Sequence, residues 1–171
     1  MSPTIDGREA LRADVDVETM LTRRVLTRVP DASLSWRPHA RSLSLGTLAW
    51  HLTEVVHWGA QMLDADHYDL ARASGDHPER VVAATSDVLA QLDRRVDEWR
   101  EALACCSDVA LQQIWTLRRG DAIVFAVPRL TALRYLLLHH LVHHRGQLTV
   151  YLRLLDVPVP PLYGPSADEI L

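Results

Sequence analysis

Apolar residues recur along this chain at intervals of three and four, the period of helices with one buried face, in four separate blocks. The first runs from about Asp6 to Arg28, where Leu11, Val15, Leu21, Val25 and Val29 stand among Arg, Glu and Asp, and Pro30 ends it. A link with Pro30, Pro38 and several serines follows, in which Trp36 is expected to be the buried anchor. Ser42 or Ser44 offers an N-cap for a second helix, about Leu45 to Leu63, whose apolar face carries Leu48, Val55, Trp58 and Met62. Pro78 suits the first turn of a third helix reaching about Cys105, with Val81, Val88, Leu92, Val96, Trp99 and Leu103 on one side and Asp87, Arg94, Arg95 and Glu98 mostly away from it. The fourth and longest block spans Pro128 to Leu155.

What lies between the blocks has no helical period. The acidic stretch from Asp64 through Arg80 reads as a solvated loop, which leaves His67 and His77 in water. Two short apolar runs between Ile114 and Pro128 flank Arg118–Arg119–Gly120–Asp121 and suggest a small hairpin or extended loop over one end of a bundle. Pro158, Pro160 and Pro161 cannot continue a helix, so the tail from Val157 should lie extended on the surface. The pattern predicts an all-α fold, a four-helix bundle with that one possible hairpin, forming a single domain over residues 1–171.

Composition narrows the function. The chain has 171 residues, 48% of them hydrophobic, enough to bury one sizeable core. Its net charge is −4, with 18 basic residues scattered among 22 acidic ones, so there is no basic footprint for nucleic acid. The polar N-terminal segment and the lack of an uninterrupted apolar run of spanning length predict a cytoplasmic protein without a membrane partner. Cys105 and Cys106 are adjacent, a spacing that fits no disulfide framework or Cys-x-x-Cys motif, and they read as small apolar residues closing a helix.

Candidate chemistry comes from the histidines, four of which fall within six residues of the last block. With His140 placed at zero on a helical wheel, Leu133, Leu136, Leu137, Leu148, Tyr151, Leu154 and Leu155 all lie within roughly 80° of it, and His144 at about 40°. His143, at roughly −60°, sits on the flank and is the competitor for a ligand position, and His139, at roughly −100°, is at the edge of the face. His51 is centred on the apolar face of the second helix in the same way. Three inward histidines on facing helices need polar partners that apolar neighbours cannot supply, and a shared metal ion meets that need. Neutral nitrogen ligands favour transition metals over Mg or Ca, and three protein ligands leave positions open for water or substrate. Glu54, three residues after His51, is a candidate partner for its ring or a catalytic base; Gln147 is a candidate for bonding a metal-bound water or a neighbouring helix.

The segments SWRPHARSLSLGTLAWHL and HHLVHHRGQLTVYLRLLDVPVPPLYGPSADE resemble the DinB/YfiT-like superfamily of metal-dependent enzymes. The resemblance implies an up-down-down-up four-helix bundle, commonly a homodimer, with a divalent metal held by three histidines. Its motif, one His on the second helix and an HxxxH followed by x-G-Q, falls on His51, His140 and His144 with Arg145, Gly146 and Gln147. Relatives include mycothiol-dependent maleylpyruvate isomerases and bacillithiol S-transferases; the isomerases differ by carrying Glu at the position of His140. Together these readings predict metal ligands His51, His140 and His144, with Zn or Ni ahead of Fe or Mn. They predict a hydrolase or S-transferase acting on a small-molecule substrate or low-molecular-weight thiol. The alternative is a non-catalytic, stress-related metal- or ligand-binding protein. A homodimer is expected because Leu138 and Val142 lie opposite His140 and leave the helix apolar on both sides.

Overall fold

The computed structural model describes residues 7–72 and 81–170. α1 (Gly7–Leu26) buries Leu11, Val15, Leu21 and Val25, as its period requires. α2 (Leu45–Asp64) starts where the Ser44 hydroxyl accepts the Thr47 N–H, closing one of the otherwise unsatisfied first-turn donors. β1 (His67–Asp69), α3 (Thr85–Cys105), α4 (Asp108–Gln112), β2 (Ile114–Arg119) and β3 (Ala122–Pro128) follow. The last rod is continuous but not uniform: α5 (Arg129–Leu133) passes into a π-helical segment, Arg134–His139, and then into α6 (His140–Leu154).

α2 and α1 each pack on both α3 and α6, so the four helices form a ring in which α1 and α2 are diagonal. The core within it is made by Leu48, Leu52 and Val55 of α2, Val88, Leu92 and Trp99 of α3, and Leu133, Leu137, Leu141 and Leu148 of the last rod.

An all-α class is too narrow for this fold. The expected hairpin is present, β2 against β3 around Gly120 at φ 59°, and β1 adds to it in parallel to give a three-stranded sheet in the order β1-β2-β3. Residues 67–69 are thus a strand and not free loop. His67–Tyr68–Asp69 is too short to show a period, and its partners at Thr116–Arg118 are distant in sequence. Pro78 and His77 lie outside the described residues. Val81 is 92% exposed instead of inward, because α3 begins only at Thr85. In the α1–α2 link Leu34 is the buried anchor, while Trp36 is half-buried with its ring edge-on to Tyr151. Cys106 is buried, and burial raises its thiol pKa; Cys105 is exposed.

The final helix is rotated relative to the wheel. Its buried residues in α6 are Leu141, Arg145, Leu148 and Leu152, so the buried face is centred roughly 110° from His140. Leu154 is exposed and Leu138 belongs to the core, the reverse of the expectation. The reason is Arg145: a charge counted as outward is 1% exposed because Glu18 of α1 lies 2.6 Å away and Thr22 and Tyr163 add bonds. The tail has no regular structure from Val157 to Pro161, but it buries Pro160 and Pro161 instead of lying wholly on the surface, and it bends at residues 162–164 and 167–168. Asp156, at φ 57°, turns the chain off α6, and Arg153–Asp168 and Arg28–Glu169 ion pairs hold the tail against α6 and α1. No helix among the described residues is long and apolar enough to cross a membrane.

Candidate metal centre

His51, His140 and His144 converge: one ring nitrogen from each lies within 4.8 Å of the others. All three are half-buried, at the flank of the core face, not at its centre. His143 and His139 are exposed and outside the cluster; His143 only touches the His144 ring, at 4.9 Å between centroids. The HxxxH spacing stacks His140 and His144 one turn apart on α6, and α2 brings His51 across to them.

Gly59 allows that approach. A Cβ there would lie 2.7 Å from Leu137 Cδ2, and Leu137 has no exposed surface into which to retreat. Leu137 belongs to the π-helical segment, whose wider turn also changes the bonding around His140. The His140 backbone N–H goes to Leu137, and the Leu136 carbonyl that an α-helix would have given that N–H faces the His140 ring.

Each ring meets a polar group outside the cluster. The Leu136 carbonyl faces His140, His144 Nδ1 lies 2.7 Å from Gln147 Oε1, and His51 Nδ1 lies 3.4 Å from Glu54 Oε2. A ring whose Nδ1–H donates to an oxygen must present Nε2 as a lone pair, and the Nε2 atoms of His51 and His140 face each other at 3.3 Å. Gln147 therefore orients His144 within its own helix. Glu54 takes the orienting role at His51 and also lines the adjoining cleft.

Electrostatics favour the lone pairs. Burial, then the neighbouring His144 and His51, pushes the His140 pKa down to about 4, and burial lowers that of His144. Both rings are thus neutral near pH 7. Trp58 supplies much of the dry surface, with its ring 5.4 Å from His51 and 5.9 Å from His140. The donor set fits a divalent transition metal: Zn–N bonds of about 2.0–2.1 Å in a tetrahedron place nitrogens about 3.3–3.4 Å apart, close to the separation found between His51 and His140. Among the described residues no other group of His, Cys, Asp or Glu converges in this way.

His140 also forms one end of a cleft of about 800 Å3 between α2, α3 and the sheet. Trp50, Trp58, Tyr68 and Trp115 line it with Glu54, His57, Gln91 and Arg95. The sequence pattern did not single out His57 or Gln91, and it set Arg95 away from the buried face of its helix, where the structure has it half-buried in the cleft wall. The only signal for them was polarity within helices otherwise read as amphipathic.

A helical bundle with a three-histidine centre beside an open cleft is the class of protein that fold and site define. The DinB family profile matches residues 13–170, and the chain belongs to that family. It is 28% identical over 158 residues to YrdA, an uncharacterized protein of Bacillus subtilis, covering 90% of this chain and 86% of that one. The crystal structure of a DinB-like protein from Bacillus cereus ATCC 10987 is similar with a TM-score of 0.68 and 26% identity, over 95% of this chain and 100% of that one. The DinB-like protein YjoA of Bacillus subtilis has the same fold at a TM-score of 0.68 and 18% identity, over 90% and 97% of the two chains.

Proposed function

We propose that this protein is a metal-dependent enzyme, a hydrolase or thiol S-transferase, that holds one divalent cation, Zn or Ni, through Nε2 of His51, His140 and His144. The observation that carries the reading is the convergence of the three rings with polar groups behind them, Gln147 and Glu54 bonding His144 and His51 and the Leu136 carbonyl facing His140. Metal-ligating histidines are oriented in this way. A bound cation would lower the pKa of a water or thiol brought to it and so supply a nucleophile near neutral pH. The chain's own residues do the rest. The neutral rings of His140 and His144 donate lone pairs without first losing a proton, Trp58 excludes water from one side, and the cleft leading from His140 admits a small molecule. Glu54 keeps the His51 ring in register, and a homodimer located in the cytoplasm completes the proposal.

Elemental analysis tests the centre. Wild type should carry about one metal ion per chain, as a single three-His site requires, and alanine at His51, His140 or His144 should empty it. Alanine at His139 or His143 should not; the opposite pattern would refute the assignment. Thiol chemistry is tested separately on Co-substituted protein, where a low-molecular-weight thiol should change the visible d–d spectrum. A spectrum indifferent to every thiol tried removes S-transfer and leaves hydrolysis.

A further inference from the structure

The wall of the cleft formed by α3 has an unequal supply of donors and acceptors. Gln91 and Arg95, one turn apart on α3, line the cleft with His57 of α2. Gln91 is 8% exposed, and its amide oxygen accepts from Arg94 Nε at 3.2 Å and from Arg94 Nη2. Arginine has no acceptor, so this bond fixes which end of the amide is which. The Gln91 NH2 group is then left without a hydrogen-bond partner among the described residues. Arg95 Nη1 lies within bonding distance of both oxygens of Glu98, at 2.9 and 2.7 Å, and of His57 Nδ1, at 3.0 Å, and its Nη2 and Nε bond to no described residue. The Glu98 carboxylate is taken up by Arg95 and by His57 Nδ1 at 3.0 Å, and those two, Arg95 first, hold its carboxyl below the usual range. The Glu98 carboxylate and the Gln91 amide oxygen are consumed inside the protein, while the donors of the Gln91 NH2 group and of Arg95 Nη2 remain. The other side of the cleft is aromatic, formed by Trp50, Trp58, Tyr68 and Trp115.

We infer that this cleft binds a small carboxylate with an aromatic or similarly bulky apolar body, its carboxylate on Gln91 and Arg95 and its body against the tryptophans. Calling that molecule the substrate rests on the enzyme reading above; the binding itself does not. The volume of about 800 Å3 suits a small molecule. The charge choice follows from the unspent donors, because two carboxylate oxygens satisfy an amide NH2 and the free Nη2 of a guanidinium while an ammonium group satisfies neither. The acids of the cleft do not reverse it: Asp64 is exposed, and Glu54 lies on the histidine side beside His51.

The test uses 3-phenylpropionate, 3-phenylpropanamide and 3-phenylpropylamine, with binding read by tryptophan fluorescence and calorimetry on the full chain, metal-loaded and metal-free. The carboxylate should bind roughly ten- to hundredfold more tightly than the amide, the worth of hydrogen bonds to a charged group, and the amine should bind most weakly. That preference should survive metal removal and be lost in Arg95→Met and in Gln91→Leu. If Arg95→Met fails to fold, with Glu98 deprived of its partner, Gln91→Leu decides alone. Equal or tighter binding of the amine overturns the inference, as does a preference that both variants retain, one that vanishes with the metal, or no binding of any probe at millimolar concentration. Metal content measured on the same samples separates the two readings. Carboxylate preference in a chain that holds no metal removes the enzyme proposal alone, and a metal-loaded chain without the preference removes this one alone.

Discussion

One methyl group at position 59 tests how closely α2 must approach the π-helical segment for the histidines to meet. In Gly59→Ala the new Cβ would stand 2.7 Å from Leu137 Cδ2 and 3.3 Å from its Cδ1 and Cγ, where ordinary contact begins at 3.4 Å. Leu137 is fully buried, so the strain falls on the helix separation, which must grow by at least about 0.7 Å locally. Overpacking of this kind costs about 1–3 kcal/mol, and the better helix propensity of Ala returns about 1 kcal/mol. The net expectation is a loss of roughly 0–2 kcal/mol. Metal sites tolerate ligand displacements of only about 0.2 Å, so affinity should drop further than stability does, on the order of tenfold. Gly146→Ala is the control: nothing lies within 4 Å of its Cβ, and it should stabilise α6 by up to about 1 kcal/mol with metal binding unchanged. Urea denaturation of both metal-free variants, with competitive zinc titration of each, measures the two effects. If Gly59→Ala is stabilised as much as Gly146→Ala and binds zinc like wild type, then close approach at Gly59 does not set the site, and the reasoning is wrong.

Three further expectations follow from other parts of the molecule. Glu18→Ala leaves the buried Arg145 guanidinium without its carboxylate and should cost about 3 kcal/mol, roughly 6–12 °C in Tm by differential scanning calorimetry; a loss under 1 °C would mean that Tyr163 and the Glu18 backbone suffice. For His140 the folded pKa, about 4, lies below its ordinary 6.5, so the stability gained from the neutral ring is complete above pH 6.5 and is lost as pH falls towards 4. The effect is at most about 3 kcal/mol and roughly 1–2 after solvent screening at a half-buried ring, so metal-free His140→Leu should show a flatter Tm profile across that window; parallel profiles would contradict it. If the chain pairs with a second copy through the last rod, its exposed large apolar residues are Tyr135, Val150 and Leu154, and Val150→Glu should give a metal-loaded monomer by light scattering, whereas an unchanged dimer would place the contact elsewhere.

Much was decided by sequence alone. Helical period, proline stops and serine caps located the four long helices to within a few residues, except for the start of α3, because these signals are local and depend on neighbours three or four positions away. The three histidines of the centre were legible for the same reason: each shares a helix side with several apolar neighbours, and the HxxxH spacing stacks two of them in any helix. The rotation of α6 was not legible. Apolarity is an average over possible surroundings, and whether Arg145 points in or out depends on a carboxylate 127 positions earlier that only packing brings to it. The same holds for β1, three residues without a pattern until β2 supplies the hydrogen bonds, and for the π-helical segment, in which Leu137 meets Gly59 of α2. The donor-rich wall belongs wholly to tertiary structure. Sequence shows that Gln91, Arg94, Arg95 and Glu98 are polar, but which donors are spent and which remain is settled only when α2 and α3 come together and His57 reaches Glu98.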